Sequence, residues 1–147
     1  MYLFDTREKK NAHIKAYFDK HKIPYKEVAL SVGDYMLEGG HISIDTKRSL
    51  DELAHNLLNR SDSHRFWREV RRAREQKITL IILCECGGKI HEISDLAGWK
   101  SKYSGVTGRR LMDEVFRCHI SYGVGFLFCD RRSTGRRILE ILQGGEE

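Results

Sequence analysis

An α/β sandwich, with helices on both faces of a mixed sheet, is the fold class this sequence predicts. Three observations carry it. Strand-like runs alternate with helical ones along the whole chain. Residues 78–84 are β-branched and almost wholly apolar, which marks a central strand covered on both faces. Gly39-Gly40 joins two short extended runs, a hairpin signal because tight turns need positive φ. At 147 residues, 40% of them hydrophobic and 32% charged, the chain can bury a core without disulfide or metal staples, and it fits one domain. It has one proline, no repeat and no low-complexity stretch to divide it.

In chain order, Tyr2 to Phe4 forms a short buried strand ending at Asp5. A helix over residues 9–21 follows, with Ile14, Tyr17 and Phe18 on its apolar side. Pro24 separates it from a strand through Val28 and Leu30, and extended runs at 35–37 and 41–45 make the hairpin. Ser49-Leu50-Asp51-Glu52 has the form of a capping box, a hydroxyl at the N-cap and a carboxylate three residues on. That helix runs through Leu53, Leu57 and Leu58 to a break near Ser61-Asp62-Ser63, and a second helical stretch covers 64–76. After the central strand, residues 87–108 show no clear periodicity. A helix over 109–121, a strand over 124–129 and a helix over 134–142 complete the pattern.

Composition narrows the partners. The formal net charge is +5, which suits a polyanion, because lysine and arginine gain by displacing counterions from phosphates. No apolar run approaches the roughly 20 residues of a membrane span, and the N-terminus meets charge at Asp5, too early for a signal peptide. A cytoplasmic location, wherever the host DNA lies, is expected. Cys84, Cys86, Cys118 and Cys129 sit in or beside apolar runs and read as reduced core thiols; a zinc site built from Cys84, Cys86, Cys118 and His119 lacks the spacing of two ligand pairs.

The hairpin is where chemistry becomes legible. With Gly39-Gly40 at the turn, pairing back gives Leu37–Ile42, Met36–Ser43, Tyr35–Ile44 and Asp34–Asp45. Side chains alternate along strands, so Tyr35, Leu37, Ile42 and Ile44 share one apolar face while Asp34, Asp45 and Lys47 share the other. Two carboxylates directly across a ladder repel. A divalent cation removes that cost, and magnesium suits it, taking one or two carboxylates and filling its shell with water and phosphate oxygens. Lys47 adds a positive charge that can orient or deprotonate a water or stabilise charge on a phosphate under attack. The alternative is an exposed polar hairpin face on which Asp45 and Lys47 merely pair.

Leu3-Phe4-Asp5-Thr6-Arg7-Glu8, Val32-Gly33-Asp34-Tyr35, and Ile44-Asp45-Thr46-Lys47 with Asp51 four residues later together resemble the ERCC4-type nuclease domain of the XPF/MUS81/Hef structure-specific endonucleases. The family pattern runs V-D-x-R-E, G-D-Y/F and E-R-K-x-x-x-D. Arg65-Phe66-Trp67-Arg68-Glu69-Val70 is similar to the helix that follows, and Ile81-Ile82-Leu83-Cys84-Glu85 to a buried strand ending in glutamate. Thr107-Gly108-Arg109-Arg110 and residues 122–128 resemble its later helix and strand. The resemblance implies a restriction-endonuclease-like three-layer sandwich. It also implies Mg²⁺-dependent hydrolysis of DNA phosphodiester bonds at flaps, forks or junctions, with Mn²⁺ as a substitute. By position, Asp34 and Asp45 become metal ligands and Lys47 the catalytic lysine, with Asp5, Arg7, Glu8 and Asp51 completing the pocket and Glu85 a looser candidate. Pairing of nuclease domains in the family implies a homodimer, or a partner protein that supplies DNA binding. Two features depart from the pattern. Glu-Arg-Lys is here Asp45-Thr46-Lys47, one methylene shorter and one cation poorer, and no room is left before Glu147 for the helix-hairpin-helix module that usually follows.

The remaining candidates concern DNA contact. Arg60, Arg65, Arg68 and Arg72 crowd the second helical stretch; the last three share a face by i, i+3, i+7 spacing, opposite the inward stripe of Phe66, Val70 and Ala73. They read as a phosphate-tracking face, or else as a solvated face paired with Glu69 and Glu75. Asp51 also has a structural reading as a first-turn acid on the helix dipole. Lys100 and Lys102 flank a region in which Trp99 either packs or stacks on an unpaired base, and residues 105–109 open a helix that can receive a phosphate. The expectation is a DNA-cutting enzyme. The rivals are a DNA-binding subunit that has lost cleavage, and a nuclease of the same fold acting on ordinary duplex or RNA.

Overall fold

A computed structural model describes residues 1–144, with the side chains of residues 60–63 outside that description. Arg60, one of the DNA-contact candidates, therefore lies outside the described side chains. Strands β1 (Tyr2–Asp5), β2 (Tyr25–Val28), β3 (Tyr35–Leu37), β4 (Ile42–Lys47), β5 (Thr79–Glu85) and β6 (Gly125–Cys129) form one mixed sheet in the order β2-β1-β3-β4-β5-β6. Helices α1 (Ala12–Lys20) and α5 (Thr134–Gly144) cover one face. Helices α2 (Leu50–Leu58), α3 (Arg60–Glu75) and α4 (Gly108–Tyr122) cover the other. The predicted three-layer α/β sandwich is the observed architecture.

Each face buries its own core. On the α1/α5 side Phe4, Ile14, Phe18, Tyr35, Ile44, Leu83 and Ile138 are sealed from solvent. Phe4 anchors them, its ring stacked on Tyr25 and edge-on to Phe18 and Tyr35 at centroid distances of 4.3–5.0 Å, the offset and perpendicular geometries that aromatic quadrupoles favour. On the other side Leu53, Leu57, Phe66, Val70, Leu80, Ile82, Leu111 and Val115 pack together. Strand β5 therefore faces apolar groups both ways, as its unbroken apolar run requires.

The hairpin has the predicted register, Tyr35 opposite Ile44 and Met36 opposite Ser43. Its connection is two residues longer than a Gly-Gly loop, with residues 38–41 between the strands. The Gly40 N–H bonds to the Leu37 carbonyl, and Gly39 alone has positive φ, +78°. Antiparallel β3 joins β1 on one side to β4 on the other, whereas β4, β5 and β6 run parallel, so the hairpin sits at the change of strand sense.

Other boundaries shift for local reasons. The break between α2 and α3 falls at Asn59, which is extended (ψ 126°), rather than near residues 61–63. Ser49 caps α2 by accepting the Glu52 N–H, and Thr107 caps α4 by accepting the Arg110 N–H. Between β5 and α4 the chain forms a 3-10 helix, Ile93–Gly98, whose Leu96 is fully buried. Among the described residues no helix is long and apolar enough to cross a membrane. All four cysteines are free.

Candidate active site

Strand alternation sends Ser43, Asp45 and Lys47 of β4 toward α2 and α3, all three buried despite their polarity. Asp34, just before β3, joins them from the neighbouring strand, its backbone N–H on the Ile44 carbonyl. A pocket of about 540 Å³ opens there, lined by Asp5, Arg7, Asp34, Asp45, Lys47, Arg65 and Arg72 among the expected residues. It also gathers Arg48, Glu52, Asn56 and Glu69, to which the sequence reading gave no site role.

Asp45 is the hub. Its carboxylate is an electrostatic neighbour of both Asp34 and Glu69 and lies 3.1 Å from the Lys47 ammonium. Lys47 Nζ also donates to Asn56 Oδ1 at 2.7 Å, which fixes the amine between helix and strand. Asp34 accepts the Thr46 N–H at 3.1 Å, and Glu69 accepts the Gly33 N–H at 3.1 Å, so each carboxylate is tethered by backbone on one side and points into the pocket on the other. Gly33 makes this approach possible. It adopts φ +69°, and a Cβ there would land on Ser43 Oγ, which donates to the Val32 carbonyl.

Crowding acids in a largely desolvated pocket has an electrostatic cost. Burial, then the Asp45 charge, pushes the Asp34 carboxyl well above the usual carboxylate range. Burial and Asp45 likewise push Glu69 up to about 7, against the opposing pull of the Gly33 N–H and Lys47. For Lys47 burial alone works against the charge, but the adjacent Asp45 outweighs it and the ammonium is held above its ordinary pKa. The Asp34–Asp45–Glu69 group thus holds more negative charge than its surroundings stabilise, while Lys47 stays protonated.

The remaining candidates take different places. Asp5 is buried at the pocket edge, accepting from the Leu30 N–H and paired with Arg7, whose other arm reaches the Leu30 carbonyl. Arg7 is therefore a scaffold tie as well as a lining cation. Glu8 does not line the pocket; its side chain accepts the Lys10 N–H, and its charge adds to the upward push on Asp34. Asp51 turns away and accepts from Ser101 Oγ, because a 100° step along α2 puts Glu52 rather than Asp51 on the pocket side. Arg68 is exposed and off the pocket, leaving Arg65, Phe66, Glu69 and Arg72 as the contributors from that side of α3. Arg72 also donates to the Ser31 carbonyl. Lys100 and Lys102 are exposed and flank Ser101, on the Asp51 side of α2. Glu85 lies on the opposite sheet face, bonded to His13 and Thr134. Trp99 packs against the core.

Glu69, missed as a site residue, left a trace in the sequence. Phe66, Glu69, Val70 and Ala73 follow i, i+3, i+4, i+7, so Glu69 occupies a position of the apolar stripe. Asn56 does the same between Leu53 and Leu57. A polar residue written into a core stripe marks a site that departs from packing rules.

The chain matches the family model for the ERCC4 domain over residues 4–140. It belongs to the ERCC4 domain family. Two solved structures of XPF from Aeropyrum pernix, one in complex with DNA, share the ERCC4 fold with TM-scores of 0.73 and 0.71. Each is 16% identical and covers 99% of this chain, which spans 65% and 64% of the respective solved chains. No curated protein matches the chain.

A divalent ion fits this donor set. Carboxylate oxygens are hard ligands, and Asp45, paired with Lys47, adds to the upward push on the neighbouring Asp34 carboxyl. Among the described residues no three His, Cys, Asp or Glu side chains are grouped to hold an ion by themselves. An ion on Asp34 and Asp45 would complete its shell with water and substrate oxygens, as magnesium does.

Proposed function

We propose that this ERCC4 domain is a Mg²⁺-dependent endonuclease that hydrolyses phosphodiester bonds in branched or otherwise structured DNA. The observation that carries the proposal is Lys47, buried, charged and fixed between Asn56 and Asp45, with Asp34 opposite and a pocket open in front. When bound, magnesium would lower the pKa of a coordinated water and neutralise charge on the phosphate. Asp34 and Asp45 would hold it. Lys47, kept protonated by Asp45, acts as a charge stabiliser for the phosphate oxygens rather than as a base. Arg48 and Arg65 at the pocket wall position the neighbouring phosphates. Asp45-Thr46-Lys47 retains the carboxylate and ammonium of the family's Glu-Arg-Lys, and Thr46 contributes its N–H to Asp34 instead of a side-chain cation. Further grip on DNA would come from a second copy or a partner protein.

Labelled flap, fork, four-way-junction, plain duplex and RNA substrates, each with Mg²⁺ or EDTA, test the proposal. Metal-dependent cutting of the branched DNAs is expected, abolished by Asp45→Asn and by Lys47→Ala in chains that keep their fold. Binding without cutting on every substrate would overturn it, and so would full activity in both variants.

A further inference from the structure

Helix α3 borders two cavities. One side lines the carboxylate pocket through Arg65, Phe66, Glu69 and Arg72. The other, with α4, borders a separate cavity of about 500 Å³ lined by Trp67, Val70, Arg71, Arg74, Glu75, Arg117 and Tyr122. Its chemistry is unlike that of the carboxylate pocket. Two aromatic rings line it, their centroids 4.7 Å apart and their planes tilted by 58°, so they are not stacked face to face on each other. The Arg74 guanidinium lies 5.8 Å from the Tyr122 centroid, and that of Arg117 lies 5.4 Å from the Trp67 centroid. Both are near the outer limit of about 6 Å for a cation over a ring. Arg117 is held by Glu114, whereas Arg71 and Arg74 form no ion pair among the described residues.

We propose that this cavity is a slot for an unpaired nucleotide of a DNA strand, its base against Trp67 and Tyr122 and its phosphates on Arg71 and Arg74. Every base offers a π-face, and aromatic rings interleaved with arginines hold single strands without sequence preference. An entering base takes the place of the Arg74 guanidinium over Tyr122, and the freed arginine turns to the adjacent phosphate. Charge favours the nucleotide, since three guanidiniums line the cavity against the single carboxylate of Glu75. Placement favours it too. Helix α3 is roughly 10 Å across, so a strand leaving the carboxylate pocket around this helix reaches the slot within a few nucleotides. The inference rests on the nuclease reading for its place on the substrate track, and it narrows the substrate to DNA with an unpaired segment.

The test is binding of a fluorescent short oligothymidylate to the whole chain in EDTA, read by anisotropy. An unlabelled duplex and a glutamate-rich peptide serve as competitors. Tyr122→Ala and the pair Arg71→Ala with Arg74→Ala should each weaken binding about tenfold or more, with Tyr122→Phe close to wild type. The arginine pair should also flatten the salt dependence of log affinity by about 1.4. The idea is overturned by binding within about twofold of wild type in the arginine pair, by a Phe variant as weak as Ala, or by stronger competition from duplex or peptide than from unlabelled oligothymidylate. Should Tyr122→Ala unfold, the arginine pair on the exposed side of α3 decides alone. Loss of the slot with Lys47-dependent cutting intact refutes only the slot. A working slot in a chain that cuts nothing refutes only the nuclease reading.

Discussion

Replacing Glu69 by glutamine should stabilise the protein, increasingly as the pH rises from about 4.5 to 7. Burial and Asp45 raise this carboxyl from 4.5 to about 7, so the folded state favours its protonated form. Its contribution to stability is therefore complete below about pH 4.5 and disappears as the pH rises through about 7. At 1.36 kcal/mol per tenfold change, the displacement corresponds to about 3 kcal/mol. Glutamine keeps an oxygen for the Gly33 N–H but carries no charge to repel Asp45. At about pH 8 the variant should exceed wild type by up to about 3 kcal/mol, or about 6–12 °C in Tm for a chain of this size. At pH 4.5 the two should coincide. Thermal melts followed by circular dichroism in EDTA across this range measure the difference. Excess magnesium should raise the wild-type Tm and narrow the gap. Parallel curves for the two proteins from pH 4.5 to 8 would refute the assignment of Glu69 to the repelling cluster.

Three further substitutions probe Asp51, Gly33 and the Glu85 cluster. Asp51→Asn should leave cleavage within about twofold of wild type, because Asp51 faces Ser101 and lies outside the carboxylate pocket; a loss of 100-fold in initial rate would return it to the site. Gly33→Ala should cost more than about 2 kcal/mol in denaturant unfolding, because it combines positive φ with a clash against Ser43. His13→Ala should cost about 2 kcal/mol by leaving buried Glu85 with Thr134 as its remaining side-chain partner, without altering cleavage by the folded chain, since Glu85 lies behind the sheet.

The sandwich was readable because its signals are local. The apolar run of β5, the Ser49 cap and the Leu53–Leu57 and Phe66–Val70 stripes each act within a few residues, and all appear at the expected places. The pairing of Tyr35 with Ile44 and of Met36 with Ser43 was readable for the same reason, since a hairpin pattern is set within a few residues. Glu69 and Asn56 were not assigned, because no rule within one helix reveals which strand that helix will cover. Asp51 misled in the opposite direction: family spacing pointed to it, whereas the helical step hands the pocket to Glu52. Residues 87–108 lacked periodicity because a short 3-10 helix and loops fill them, organised around Leu96 rather than along a repeating face.

The carboxylate pocket also separates two electrical tasks. Among its described lining residues Asp5, Asp34, Asp45, Glu52 and Glu69 are matched one for one by Arg7, Lys47, Arg48, Arg65 and Arg72. The formal excess of +5 carried by the chain therefore resides elsewhere on its surface. Long-range attraction of a polyanion comes from that outer charge and weakens with salt, whereas the lining itself adds almost no net field at a distance. On the proposed nuclease reading, capture and cutting should accordingly respond to different variables: ionic strength would govern how often DNA arrives, and the short-range geometry around Asp45 would govern what happens once it is there.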